Sequence, residues 1–479
     1  MTLLKKSLGL LALSTLLGIF TSKAQETKGA TDFGARIDSL VQSIFHRVDE
    51  QLGTYIFFDE PTAIAEDTDT LRDTDEDFAT SRSKHSRYWR HRREASLYAF
   101  EPGRGIMRNP SVNYPWESAY DEFLFRYNRV EGFFLGLSSP KGYAWEGRHI
   151  KLFGTAGYGF AAHRWRYSGG VAQQFGTGGQ ILEVGAEGHS LTDTRDQWII
   201  SEGENTLAAL FLRDDYRDYF GRKGFSVWTG LYHRERNSDL QFRLAFLNDR
   251  YESLRQSTDW AIFGGDKRFR YNPGITEGRM KSVLTTFEFH HARERRFFSS
   301  GWSTVLSAEF SEKGLGGDFD FNRYLVDLRG YLPLSDYDIV NIRLRGGSTT
   351  GEAPHQKAFD LGGLSTLPAF GFKEFVGNRL LLLNVEYVVN GKILDNAGLF
   401  PSWLLRNFNL IFFSDAGYVT IAPSGKSFLQ GLDGLSSETI KWDWGFAIGS
   451  RDGKMRLGFA WRTDVSRPVK VFIRVSRPF

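Results

Sequence analysis

The 479-residue chain contains no cysteine. No disulfide can hold it together, and no lipid-bearing cysteine can follow its leader. Proline and methionine are scarce, at 13 and 4 residues. The formal net charge is only +3, too small to argue for nucleic acid as a partner. Beyond the amino terminus there is no apolar run of about 20 residues, so no second segment reads as a transmembrane helix. Catalytic signatures are missing as well: the chain has no G-x-S-x-G elbow, Walker loop, HExxH or C-x-x-C. His290 and His291 are adjacent, so on a strand they point to opposite faces and make poor joint metal ligands. The chain offers no catalytic residue, no cofactor site and no metal site, and the expectation is that it is not an enzyme.

What is present begins with a leader. Lys5 and Lys6 precede an apolar stretch from Ser7 to Phe20, and Ser22-Lys23-Ala24 places small residues before Gln25. This reads as a secretory signal peptide over 1–24. An exported chain of this length without disulfides draws its stability from burial or from a membrane. Two classes remain: a soluble secreted β-protein and a β-barrel in an outer membrane. Aromatics make up 15% of the chain, with 41 Phe, 19 Tyr and 12 Trp, and glycine numbers 51. Mean hydropathy is −0.35. Aromatic-rich, glycine-rich and moderately polar sequence suits strands with one face on lipid and the other on a polar lumen.

Residues 25–120 differ in texture from the rest and are expected to form a periplasmic, partly disordered segment. Ile37–Leu52 has apolar residues at helical spacing and predicts one amphipathic helix. An acidic block at 59–77 and a basic block at 81–93 follow, as in a solvated segment. Asp67, Asp69, Asp73, Asp75 and Asp77 fail the EF-hand pattern, because Leu71 falls at the fifth position and no glutamate follows at twelve.

From residue 121 to 479, stretches of about ten residues alternate apolar with polar or small side chains between turn signals. These predict an all-β chain: a transmembrane antiparallel β-barrel of about 16 strands, within a range of 14–16. The last strand shows the alternation most clearly. Val469, Val471, Ile473 and Val475 share one face with Phe479, while Lys470, Arg474 and Ser476 take the other. A strand of a soluble sandwich would alternate in the same way. In NRLLLLNVEYVVN (378–390) and FNLIFFSDAGYV (408–419), the lipid-out rule turns Glu386 and Asp415 toward the lumen. Between strand-like stretches sits DLGGLSTLPAFGFKEFVGN (360–378), too irregular for a helix and too apolar for an ordinary loop.

This arrangement resembles the outer-membrane insertase superfamily, the bacterial surface antigen and BamA-TamA-like C-terminal domain. In that family a Gly-Gly segment leads into an Arg-Gly-aromatic motif on a loop folded back into the barrel. A Gly-Asn strand with a downstream Glu follows, then aromatic-x-Asp-x-Gly. Here Gly362 and Gly363 match the first element, Gly377, Asn378 and Glu386 the second, and Phe413, Asp415 and Gly417 the third. The carboxy-terminal Phe479 matches the signal read by the insertion machinery. The chain departs from the family at the motif arginine: Leu367, Pro368, Ala369 and Phe370 stand where Leu-Arg-Gly-Tyr is expected. In the family that arginine pairs with lumen carboxylates, which match Glu386 and Asp415. Either another cation replaces it, Lys373 or Arg379 being nearest, or packing alone holds the loop. A wet lumen with Lys373 or another lumen cation as a loose substitute is the expectation. No array of POTRA domains is evident before the barrel.

The resemblance implies a bacterial outer-membrane protein, from a Gram-negative envelope, in outer-membrane protein assembly or polypeptide translocation. Its partners would be outer-membrane lipid, the assembly machinery during biogenesis, and an unfolded polypeptide client or a periplasmic partner. A solute pore, or a structural barrel anchoring a periplasmic partner, remains the alternative.

Overall fold

The computed structural model describes residues 123–475, apart from 264, 295–297, 397–407, 424–429 and 451–454. The leader, the helix expected at 37–52, the charged blocks and Phe479 lie outside the described residues. The strands are β1 (Phe123–Asn128), β2 (Gly132–Ser139), β3 (Gly147–Gly159), β4 (Arg164–Thr177), β5 (Gln180–Asp193) and β6 (Phe220–Arg234). Then come β7 (Ser238–Ser253), β8 (Gly278–Glu294), β9 (Ser299–Ser311), β10 (Asp320–Pro333), β11 (Asp338–Glu352) and the short β12 (Phe359–Leu361) and β13 (Phe375–Gly377). The last are β14 (Arg379–Asn390), β15 (Phe408–Thr420), β16 (Lys441–Ser450), β17 (Met455–Arg462) and β18 (Lys470–Val475). Two short helices, α1 (Glu202–Leu207) and α2 (Gly391–Asn396), sit in connections.

All but β12 and β13 form one sixteen-stranded sheet in which sequence neighbours pair. Each pairing is antiparallel, as between β1 and β2 or β17 and β18. The all-β expectation and the count of about sixteen both hold. β12 and β13 form a separate hairpin inside the β11–β14 connection. Long connections at 194–219, 254–277, 353–378 and 421–440 gather at one end of the sheet, and most turns at the other end are short.

Side-chain distribution is inverted relative to a soluble protein. Glu183, Arg222, Arg243, Asp327, Arg343, Glu386 and Asp443 are buried, while Leu182, Phe225, Leu244, Leu344, Trp444 and Ile473 are exposed. The period-two alternation of the strands produces this, because one-residue steps switch faces. A wall with apolar groups outward and paired charges inward is stable in lipid and costly in water. Cross-strand aromatics reinforce the outer face: Trp444 stacks on Trp461 and Phe446 on Phe459, each with ring centroids 5.1 Å apart. Among the described residues no helix is long and apolar enough to cross a membrane; crossing by strands is a separate matter.

An arginine on the outer face should therefore act as a lipid-exposed charge. Leu244→Arg is expected to cost roughly 2–4 kcal/mol of folding free energy in lipid vesicles, read by denaturant titration of tryptophan fluorescence. No loss would show that this face does not meet lipid.

Candidate functional site: the occupied lumen

The connection 353–378 turns back onto the inner face of the sheet. Its reversal is built on Gly362 and Gly363, with φ of 111° and 88°. A Cβ on Gly362 would lie 2.4 Å from the Gly371 carbonyl oxygen, so only glycine fits there. The Gly363 amide donates to the Leu367 carbonyl at 2.9 Å, and the Gly362 amide donates to Thr366 Oγ1 at 3.0 Å. The turn thus holds its own backbone groups while Leu364, Leu367 and Phe370 project into an apolar cluster. That cluster joins them to Trp198, Ile199 and Ile200 of connection 194–219, and to Leu380 and Leu382 on the β14 wall. Leu367 and Phe370 have no exposed surface. The lumen at this level is packed and apolar, which corrects the expectation that it is wet. Gly417 is part of the same fit: a Cβ there would lie 2.6 Å from Leu361 Cδ1.

Polar anchors come from the wall. The Ala369 amide donates to Asp443 Oδ2 at 2.7 Å. Asn384 Nδ2 donates to the Thr366 carbonyl at 2.9 Å and to Asp415 Oδ1 at 2.8 Å. Arg474 Nη1 donates to Ser365 Oγ at 2.9 Å, and Lys470 Nζ to the Phe370 carbonyl. The Arg462 guanidinium lies 4.1 Å from the centre of the Phe370 ring. Where the resemblance calls for an arginine–carboxylate clamp, a backbone amide at Ala369 meets a wall carboxylate instead.

Lys373 and Arg379 do not replace the arginine in the expected way. Glu386 pairs with Arg456, Nη1 to Oε1 at 2.5 Å, and Asp415 takes its hydrogen bond from Asn384. Arg379 donates to the carbonyls of Gln430, Asn378 and Thr349. Lys373 points the other way, into the 194–219 connection. Its Nζ lies 2.7 Å from Asp196 Oδ1, 2.6 Å from Asp218 Oδ2 and 3.5 Å from Asp360 Oδ2. The lysine therefore joins two connections to each other instead of one loop to the wall. Burial pushes the Asp218 carboxyl up, but Lys373 and Arg270 outweigh it and hold the group well below the usual carboxylate range.

The remaining motif residues have structural roles nearby. Asn378 exchanges two hydrogen bonds of 2.7 Å with the backbone of Ala422, fixing the exits of β13 and β15. Gly377 is closed in by Thr420, and Phe413 packs edge-on against Phe472 at 5.9 Å. Pro368 is buried in the reversal.

Several participants were not anticipated. Asp196, Trp198 and Asp218 lie in connection 194–219, whose apolar runs WII and LAALFL were the signal that it is not an ordinary surface loop. Its helix α1 touches both edge strands of the sheet. The Tyr127 amide of β1 donates to Thr206 Oγ1 at 3.3 Å, and the Val475 amide of β18 donates to Glu204 Oε1 at 2.7 Å. Arg474 Nε adds a 3.1 Å bond to the same oxygen. At the short-turn end, Lys141 reaches Glu183 Oε1 at 2.5 Å inside a ring of Tyr143, Phe153, Trp228 and Tyr232. Among the described residues no group of three His, Asp or Glu is placed to hold a metal ion.

Residues 107–292 match the profile of a family described as "Family of unknown function (DUF5686) C-terminal domain". No curated protein sequence matches the chain. Among solved structures it is similar to BamA from Haemophilus ducreyi lacking POTRA domains 1-3, at 13% identity, 73% of this chain, 68% of that chain and a TM-score of 0.44. It is also similar to CdiB from Acinetobacter baumannii, at 11% identity, 73% of this chain, 58% of that one and a TM-score of 0.37. The outer membrane protein opdK from Pseudomonas aeruginosa shares 14% identity over 73% of this chain and 94% of that one, with a TM-score of 0.27. At these scores the likenesses add nothing to what the strand order shows.

Lys373→Met leaves buried carboxylates facing one another. It should weaken loop docking by about 3 kcal/mol, seen as a rise on the order of a hundredfold in protease cleavage within 353–378 of the vesicle-embedded protein. Unchanged cleavage would mean that Lys373 does not hold the loop. The pH dependence has a definite sign. When the loop is released Asp218 loses Lys373 but keeps Arg270 and Arg129, so its carboxyl moves back up toward the ordinary carboxylate range. Its contribution is therefore complete above about pH 4 and is lost as pH falls through the depressed value. Cleavage should stay flat from pH 8 to 5 and rise only in stronger acid.

Proposed function

We propose that this is an outer-membrane barrel that handles polypeptide, in membrane-protein assembly or translocation, and that its lumen is shut at rest. One observation carries the reading: the 353–378 connection folds onto the inner face and is held to wall side chains on β14, β16 and β18. A steady solute pore needs a continuous aqueous path, and a loop with fully buried Leu367 and Phe370 obstructs it. Gly417, and Asp415 through Asn384, border this loop from the wall, in keeping with the insertase resemblance. The seam adds support, since the edge amides of Tyr127 and Val475 bond to side chains of α1. Edge strands whose donors are held by side chains can exchange them for another strand.

On this reading the leader is removed before Gln25, residues 25–120 lie in the periplasm, and the long connections face outward, as in bacterial barrels generally. The assembly machinery would insert the chain by its carboxy-terminal strand. The barrel reconstituted in vesicles should accelerate the folding of a urea-unfolded β-barrel client, followed by its gel-mobility shift. It should also photo-crosslink that client from a probe at Tyr127. A client that neither folds faster nor crosslinks would overturn the polypeptide reading.

A further inference from the structure

On the outer face of the sheet, three cations occupy directly opposed positions on adjacent strands. Lys223 of β6 pairs in register with Arg250 of β7, and Arg250 pairs with Arg279 of β8. All three are exposed, with the Arg250 side chain at 74%. Lys281, the next outward residue of β8, extends the row and pairs in register with Asn248. Like charges set directly opposite one another across strands are destabilising. Nothing in the pairing of the strands requires cations at these positions.

Their height on the wall is informative. Toward the middle of the sheet the outward side chains become apolar within two positions: Phe225 and Val227 on β6, Phe246 and Leu244 after Asn248 on β7, and Val283 after Lys281 on β8. The cations therefore sit at the edge of the apolar band, at the end bearing the long connections. Acidic groups do not interrupt the row. Glu252 Oε1 approaches Arg250 Nε at 3.8 Å from the connection side. Glu277 accepts from the Ser253 amide, and Asp318 from the Arg279 amide. Glu312 follows the end of β9. These carboxylates lie on or next to the connections, so the membrane-ward edge is left cationic.

We propose that Lys223, Arg250 and Arg279, with Lys281, form a binding site for the phosphate groups of a phosphorylated glycolipid in the membrane leaflet at the long-connection end. The fit is chemical. Guanidinium groups bind phosphate oxygens in bidentate pairs, ammonium groups add point charge, and the acyl chains would lie along Phe225, Phe246 and Val283 below. A bound polyanion also removes the repulsion within the row. The site rests on the reading of this wall as an outer-membrane surface. It does not depend on what the lumen does.

The test titrates the delipidated barrel in neutral detergent with diphosphorylated lipid A and counts retained lipid by native mass spectrometry. The triple variant Lys223→Gln, Arg250→Gln, Arg279→Gln changes only outward side chains, and heat-modifiable mobility checks that it folds. Arg148→Gln, an outward cation at the opposite end, is the control. The wild type and the control should retain lipid A, and the triple variant should bind it on the order of a hundredfold more weakly. Dephosphorylated lipid A should not be retained. Equal retention by the wild type and the triple variant would overturn the site. Equal binding of phosphatidylglycerol would reduce it to general anion attraction, and equal binding of inorganic phosphate would make it a site for a soluble ion; either result overturns the glycolipid assignment. A barrel that retains lipid A but fails to accelerate client folding would separate this inference from the polypeptide reading.

Discussion

A sheet that turns its apolar side chains to lipid must collect its charges on the inner face, and every charge taken there needs a partner. Much of this structure follows from that requirement. Wall residues satisfy part of it among themselves: Arg343 and Arg345 both bind Asp327, and Arg222 bridges Asp193 and Asp249. Connections that fold inward meet part of what the wall leaves over. Ala369 brings an amide to Asp443, and Glu204 brings a carboxylate to Arg474. Trp198 places its ring 3.8 Å from the Arg345 guanidinium. The lumen loops are thus counter-charges and donors for the barrel as much as obstacles within it. Removing a loop would expose a set of charges that water must then solvate.

Lys373 shows how the two inward connections become one unit. It lies 177 residues from Asp196 and 155 from Asp218, yet it closes the salt-bridged cluster that joins them. The apolar contact of Trp198, Ile199 and Ile200 with Leu364, Leu367 and Phe370 lies in the same two connections. A displacement of one connection therefore disturbs the other. Connection 194–219 also carries α1 against both edge strands.

The strands were legible because their information is local. In NRLLLLNVEYVVN the alternation alone turns Asn384 and Glu386 inward, and both are buried on the inner face. Gly362 and Gly363 were marked only by the family resemblance, and the structure shows the reversal built on them. What holds the loop was not legible. The donor to Asp443 is a backbone amide, which every residue but proline carries, so Ala369 has no signature. Glu386 finds Arg456 at a separation of 70 residues, and no pattern in one sequence selects that arginine over the others. Lys373 stood near the expected position but is turned to the 194–219 carboxylates. Its φ of 51° is a left-handed backbone that sequence periodicity does not reveal.

On this reading the lumen is closed by its own connections. Single-channel conductance of the purified barrel in a planar bilayer, intact and lacking residues 361–375, tests it most directly. The intact barrel should stay closed, and the deletion should give measurable open levels. Steady conductance from the intact barrel, unchanged by the deletion, would contradict it and make the protein a simple pore.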